Sequence, residues 1–425
     1  MTILSTHPWD IETDRRNGER ATRDLVGEPA HLIAAIFAMV METLGTGPAS
    51  VGFITLCVAG GLRAHVLWPI WRRMFGHTWI KLLLAWMLWT VISVAWSPDF
   101  GEGLGRIGVL KFFAWLPLLW PLQRYWKLLV GGFLFATLVM QGIQASGVIF
   151  GATNGGGSLV RGLRHPTMTG VWSAIALSCW LFIPVIVGWR GIFLAVPFGT
   201  LSALGILWSG QRAAVIGEVI GAIIPGLVLW FGSSRLRPRI VATWLVGIVL
   251  LGTLYTIAGS PLTASFMRFS NEVAQSLRTD SMTLVEPRIA MWQLSMTAWK
   301  EHPVIGVGLG GYESTTENTM IDFQRGNMDI HAFKTSHNTY LMILTESGAI
   351  GLMIFVAWMV AFLMRGVQLL RDDPLRVGVF GGAIIWFSTA AFDSFHTRGV
   401  FLTVGVIMIA LAVMPRTRPQ RATRR

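Results

Sequence analysis

One histidine and a scatter of arginines are the side chains in this 425-residue chain whose types and placement could do chemistry. His337 stands in Lys334-Thr335-Ser336-His337-Asn338-Thr339-Tyr340-Leu341, immediately before a long apolar run. Ser336 reads as an N-cap, which sets His337 in the first helical turn. There the exposed amides and the positive dipole end attract anions and keep an imidazole neutral. A neutral imidazole at a water–membrane boundary can accept a proton, as a general base acting on a hydroxyl must. The alternative is a satisfied interfacial histidine held only by its surroundings. Arg161, Arg164, Arg212 and Arg398 lie in short connections or at the ends of apolar runs, on the side where cations are normally scarce. Each alone could snorkel to headgroups. Gathered on one face, they favour an anion site between helices.

Glycine supplies a second candidate feature. Gly306-Val307-Gly308-Leu309-Gly310-Gly311-Tyr312 is a turn dense enough in glycine for backbone amides to approach a ligand closely. Gly306, Gly308 and Gly311 mimic a dinucleotide fingerprint, but no βαβ unit surrounds them, and a tight re-entrant turn is the better reading. Tyr312 and Asn338 either meet the ligand or simply pack and cap. Cys57 and Cys179 fall inside apolar runs and supply neither a disulfide framework nor a metal site.

The elements that must position these residues are membrane helices. Apolar types make up 53% of the chain and charged types 13%, about half the usual charged share, with a mean hydropathy of +0.58. A soluble fold of this size could not cover its surface with so few charges, and disorder is excluded for the same reason. The first 29 residues carry no apolar run, which argues against a cleavable signal peptide. Twelve apolar runs approach the length needed to cross about 30 Å of hydrocarbon. They lie near residues 30–45, 49–63, 79–96, 107–121, 126–149, 167–187, 190–208, 212–231, 238–258, 338–364, 376–392 and 398–414. The first two, split at Gly45-Thr46-Gly47-Pro48, could instead be one broken span. The 20 Trp are read as mostly lipid-facing or interfacial.

The expected organisation is therefore a cytoplasmic tail over 1–29, nine spans over 30–258, an external loop over 259–336, three spans over 337–414 and a basic cytoplasmic tail over 415–425. Most of the 34 basic residues, including Arg72, Arg73, Arg235, Arg237 and Arg376, then fall on the cytoplasmic side. The net charge of +12 is thus a topology signal, and it gives no reason to expect a nucleic-acid partner. The 259–336 loop is partly helical. Glu286-Pro287-Arg288 opens an amphipathic run through Trp292 and Trp299 that ends at His302-Pro303. Those two Trp either pack that helix or stack on a ligand. Arg288 alternatively pairs with Glu286 or Asp280 at the helix start.

Two segments carry a family resemblance. His302-Pro303-Val304-Ile305-Gly306-Val307-Gly308-Leu309-Gly310 and His337-Asn338-Thr339-Tyr340-Leu341, followed by Glu346-Ser347-Gly348-Ala349-Ile350-Gly351, resemble elements of the O-antigen ligase and O-antigen polymerase superfamily. Ser209-Gly210-Gln211-Arg212 is similar to its "S-x-x-R" element, and Arg161-Gly162 with His165-Pro166 to a weaker one. His165 stands where the family more often has Asn. The resemblance implies an all-α polytopic membrane protein of the bacterial inner membrane with its active site facing the periplasm. It implies transfer of a glycan from undecaprenyl diphosphate to lipid A-core or to a growing glycan, metal-independent, inverting and without a cofactor. It makes Arg212 and Arg288, with Arg161 and Arg164 behind them, the groups that hold the leaving diphosphate, since guanidinium forks suit phosphate. His337 becomes the base, and Gly306, Gly308, Tyr312 and Asn338 line the substrate.

Within the family, ligation is preferred over polymerisation on the match of the "H-N-x-Y-L" element and the single large loop. A metal-dependent transferase would need paired carboxylates in an early external loop, where only Asp99 and Glu102 are available. A glycan transporter or flippase would favour polar residues at mid-membrane depth and an internal repeat, and no duplicated half is visible.

Overall fold

The computed structural model describes residues 26–149, 165–250, 252, 256, 267, 271, 287–316, 335–394 and 399–414. Within them the chain is helical and contains no strand. Seven helical segments are long and apolar enough to cross a membrane: Gly27–Leu44, Thr78–Trp96, Phe100–Gly147, Pro166–Val187, Trp189–Ser209, Arg212–Gly232 and Thr339–Asp372. An eighth is formed if Thr46–Leu62 and Ala64–Phe75, bent by 97°, are taken as one span. The all-α multi-pass architecture follows directly from composition.

The helices used below are α1 Gly27–Leu44, α2 Thr46–Leu62, α3 Ala64–Phe75, α4 Thr78–Ile92, α5 Phe100–Ile107, α6 Trp115–Leu119 and α7 Trp126–Ile149. They continue with α8 Pro166–Leu181, α9 Ile183–Val187, α10 Ile192–Ser209, α11 Arg212–Gly232, α12 over 237–250 and α13 Pro287–Glu301. The last are α14 Thr339–Asp372, α15 Val377–Thr389 and α16 Gly399–Val413.

The first two runs are separate elements. Gly45, at φ +137°, turns the chain, and Gly52 of α2 lies so close to Ala38 and Met41 of α1 that a Cβ there would meet Ala38 Cα at 2.9 Å. That contact makes α1 and α2 an antiparallel hairpin rather than one broken span. The sharp bend comes instead at Arg63. The segment 100–147 would extend about 72 Å as one straight helix at 1.5 Å per residue. It is broken by 3-10 turns at Gly108–Ala114 and Trp120–Tyr125, where Leu122 leaves helical geometry with φ −88° and ψ 17°.

Lipid gives helices little hydrophobic reason to associate, so small residues must let backbones approach. Every residue of α8 is buried. Its Ser173 faces Gly205 of α10, and its Ser178 and Cys179 face Gly381 and Gly378 of α15. Gly217 and Gly221 of α11 press on Thr389 and Ile385 of α15. The glycines at these crossings are close-contact sites on α10, α11 and α15, and α8 meets them with small side chains.

Aromatic packing fills the other half. Trp86 of α4 stacks on Trp358 of α14 at 6.4 Å, with Phe113, Phe355 and Phe387 edge-on around the pair. Among the described residues nine tryptophans are buried, including Trp86, Trp115, Trp172, Trp358 and Trp386, where large rings bridge the gaps that small-residue crossings leave. Arg376 is 1% exposed, and its guanidinium donates to the Leu411 and Ala412 carbonyls, capping the C-terminus of α16.

Candidate active site

Helix α14 is broken near its start, and the break is stitched by the glycine turn. Gly348 adopts φ +68° and ψ −172°, so the amides of Ala349 and Ile350 cannot reach the carbonyls four residues back. The turn replaces both lost bonds. Val307 and Gly308 N–H donate to the Thr345 and Glu346 carbonyls at 2.9 Å each, while Ala349 and Ile350 N–H donate to the Pro303 and Val304 carbonyls at 3.0 and 3.2 Å. Trp89 Nε1 donates to Ser347 O and Trp96 Nε1 to Gly306 O. Gly306 and Gly348 lie backbone to backbone, and a Cβ on Gly306 would meet Gly348 N at 2.5 Å.

The motif spacing thus has a packing cause. Gly306, Gly308 and Gly310 all have positive φ, and Cβ atoms there would collide with Glu346, Ser97 and Gly103 backbone respectively. The amides offered to a ligand in the sequence reading are engaged within the protein. Gly306 N–H donates to His302 O, Gly308 N–H to Glu346 O, Leu309 N–H to Ser93 Oγ and Gly310 N–H to Glu346 Oε1. Gly306 and Gly308 therefore engage their amides in the frame that joins the turn to α14. Tyr312 is similarly inward: it is fully buried, its hydroxyl donates to Met291 O at 3.3 Å, and burial pushes that phenol up to about 12.

A buried ion pair fastens the frame. Glu346, 1% exposed, accepts from Arg106 Nη1 at 2.6 Å, and Arg106 Nε also donates to Glu102 at 2.9 Å. Asp99 accepts the Glu102 N–H as the N-cap of α5. The two carboxylates considered for a metal are thus engaged as a cap and an arginine partner. The pairing of Glu346 with Arg106, 240 residues earlier, left no local signal.

Just before the start of α14 stands His337. Asn338, not Ser336, is the N-cap: its side chain accepts from Tyr340 N–H and Leu341 N–H at 3.0 and 3.1 Å. Ser336 instead bonds the Asn338 backbone. His337 accordingly precedes the helix rather than opening its first turn. Its φ is +47°, the only positive value among the described non-glycine residues, a conformation held by the anchors on either side. Its Nδ1 lies 3.3 Å from Asp393 Oδ1, with side-chain exposures of 26% and 8%. Thr339 N–H donates to the Ala390 and Asp393 carbonyls and Thr339 Oγ1 to Asp393 O, so the turn after α15 docks rigidly on the start of α14. A half-buried imidazole with one nitrogen on a buried carboxylate leaves Nε2 for a substrate hydroxyl.

The contacts bring several helix N-termini to this end of the bundle. Gly217 against Thr389 and Gly221 against Gly381 show α11 antiparallel to α15, so Arg212 opens α11 on the side of the 390–394 turn. Gly170 of α8 lies on Ser209 and Gln211, and His165, the N-cap of α8, sits 6.4 Å from Phe401 of α16. Thr345 Oγ1 donates to Ser295 O, and Pro303 and Val304 meet Ala349 and Ile350, so α13 runs alongside α14 in the same sense. Arg288, at the backbone start of α13, is therefore on the same side as Asn338. The aligned helix dipoles at such ends attract negative charge. The Arg288 side chain lies outside the described residues, as do Arg161, Arg164, Arg398 and most of 259–286. Arg212 is half-buried.

Asp393 was missed in the sequence. It follows an apolar run with no motif spacing, and its only clue is a carboxylate at a span end on the side of the arginines.

Residues 197–356 match a family model described as O-antigen ligase. That interval contains Arg212, Arg288, the stitched break and His337. The chain also resembles a Haemophilus influenzae protein described as "Uncharacterized protein", at 24% identity over 226 residues, covering 50% of this chain and 53% of that protein. It thus spans about half the length of that relative. Taken with the helical fold, the family match points to a multi-pass membrane protein whose segment 197–356 is similar to O-antigen ligases.

Proposed function

We propose that the protein is a membrane glycosyltransferase that moves a glycan from undecaprenyl diphosphate to an acceptor hydroxyl at the periplasmic face of the inner membrane, with lipid A-core as the acceptor. The observation that carries this reading is the His337–Asp393 pair at the end of the bundle where the N-termini of α8, α11 and α14 open. Such an end suits a leaving group bearing two or more negative charges, and the adjacent imidazole suits an acceptor alcohol.

In this scheme Asp393 fixes the His337 ring through Nδ1, and Nε2 takes the acceptor's proton as its oxygen attacks the anomeric carbon. The bond from that carbon to the phosphate oxygen breaks on the opposite face, with inversion. The diphosphate keeps the electron pair. Arg212 and Arg288 stabilise the growing charge as guanidinium forks, with Arg161 and Arg164 in support. The reaction balances without a metal or a cofactor. Twelve spans, both chain ends cytoplasmic and 259–336 outside complete the proposal.

The test is glycan transfer by the purified full-length protein in detergent, given lipid-linked donor and lipid A-core. The expected product is core carrying the donor glycan, abolished by His337→Ala with the thermal unfolding temperature unchanged. A ladder of lengthened donor instead would make the protein a polymerase. Transport of donor across vesicles with no new glycosidic bond would refute the enzyme reading.

A further inference from the structure

Away from this site, a cavity of about 450 Å³ lies between α8, α10, α11 and α12. Its wall is almost wholly apolar, with Leu177, Ala203, Ala222 and Trp244 among the lining residues. Val219, Ile223, Leu227 and Ile248 at its edge are 40–65% exposed, so the cavity opens on the lipid-facing surface. Two polar side chains line it. Glu218, six residues into α11 and hence about 9 Å along that helix, is 3% exposed, and neither carboxyl oxygen has a hydrogen-bond partner. Thr243 is 1% exposed, and its Oγ1 also lacks a partner. Trp244 Nε1 is occupied by Ala222 O at 3.3 Å and does not compete.

A carboxyl left without a partner in hydrocarbon costs several kcal/mol, and intramembrane acidic residues accordingly mark binding sites or pathways. Nothing in the transfer scheme uses Glu218. The missing partner is a small group that both donates and accepts, since the site offers a carboxyl and a hydroxyl together. A hydroxyl meets that description. A cationic amine would have to be stripped of water at greater cost. The volume holds roughly fifteen groups of about 30 Å³ each, comparable to a water's share of liquid volume, which suits one chain with a small head and not a two-chain phospholipid.

We propose that this cavity is a lateral binding site for a single-chain aliphatic alcohol, its hydroxyl bonded to Glu218 and Thr243 and its chain running along the apolar wall to the mouth. The site is independent of the glycan-transfer reading and stands whether or not that reading holds.

The test is photolabelling of the full-length protein in detergent with a diazirine-bearing hexadecanol, adducts being mapped by peptide mass spectrometry. Adducts are expected on the cavity residues of α11 and α12, with hexadecanol competing at about tenfold lower concentration than hexadecane, the effect of a buried hydrogen bond. Glu218→Leu and Thr243→Val should each weaken labelling by a similar factor. The comparison of competitors on the unmodified protein needs no variant to fold. Equal competition by hexadecane overturns the proposal, as does labelling spread over the lipid-facing surface. Stronger competition by hexadecylamine than by hexadecanol would also overturn it, since the site would then select a cation.

Discussion

Replacing Asp393 by asparagine keeps the side chain's size and its acceptance from Ser394 N–H, which reaches Oδ1 at 2.7 Å, while removing the charge that faces His337. The imidazole then loses the carboxylate that selects the tautomer with the proton on Nδ1. Because Oδ1 also faces His337 Nδ1, an amide that keeps the Ser394 bond still meets the ring with oxygen but no longer offsets the positive charge the ring gains with a proton. General-base catalysis is worth roughly 10²–10⁴-fold. The 3.3 Å separation is at the long end of the hydrogen-bond range, which puts the effect at the lower limit. The expected loss is about a hundredfold in kcat, or about 2.7 kcal/mol of barrier. The assay is the initial rate of glycan transfer at saturating donor and acceptor, run beside a thermal unfolding measurement in the same detergent. Unfolding should shift by no more than about 2 °C, because the docking bonds from Thr339 go to backbone carbonyls that asparagine retains. Turnover within about threefold of the unmodified protein, with His337→Ala inactive, would refute the orienting role. A large fall in stability would show Asp393 to be structural instead.

Other outcomes follow from the frame. Gly348→Ala places a Cβ against Val304 O at a φ of +68°, and should destabilise the protein by on the order of 3 kcal/mol, seen in thermal unfolding. Arg106→Met strands the buried Glu346 charge and should cost about 3–5 kcal/mol, whereas adding Glu346→Gln to it should recover part of that loss, as a double-mutant comparison would show. Burial, then the nearby Arg365, lowers His77 from 6.5 to about 4, so the folded protein binds fewer protons there than the unfolded chain. Its contribution is complete above pH 6.5 and disappears as the pH falls towards 4. Unfolding temperatures across that range should drop less steeply in His77→Gln.

The helices were legible because apolar run length alone decides them in a membrane, and α4, α8, α10 and α11 lie close to the expected runs. The 13 residues of α15 and the kinked segment 100–147 were harder to read, since apolarity does not reveal where a helix stops and turns. The elements at 302–310 and 337–351 were found by their residues, but their cause was not. Reading glycines as ligand contacts follows from their freedom, while only the fold shows the backbones they touch. The cap at Asn338 was misplaced by two residues because Ser336 is an equally good capping type. Glu346 with Arg106, and His337 with Asp393, are meetings across distant segments, which no local spacing encodes.

The interruption at Gly348 divides α14 into a short arm, residues 339–347, and a long shaft that runs to Asp372. A helix in a thicker or thinner bilayer adjusts by tilting. Here the arm is bolted to Ala390 and Asp393 and the interruption is tied to the turn at 303–308, so protein contacts as well as the tilt of its own helix set where the arm sits.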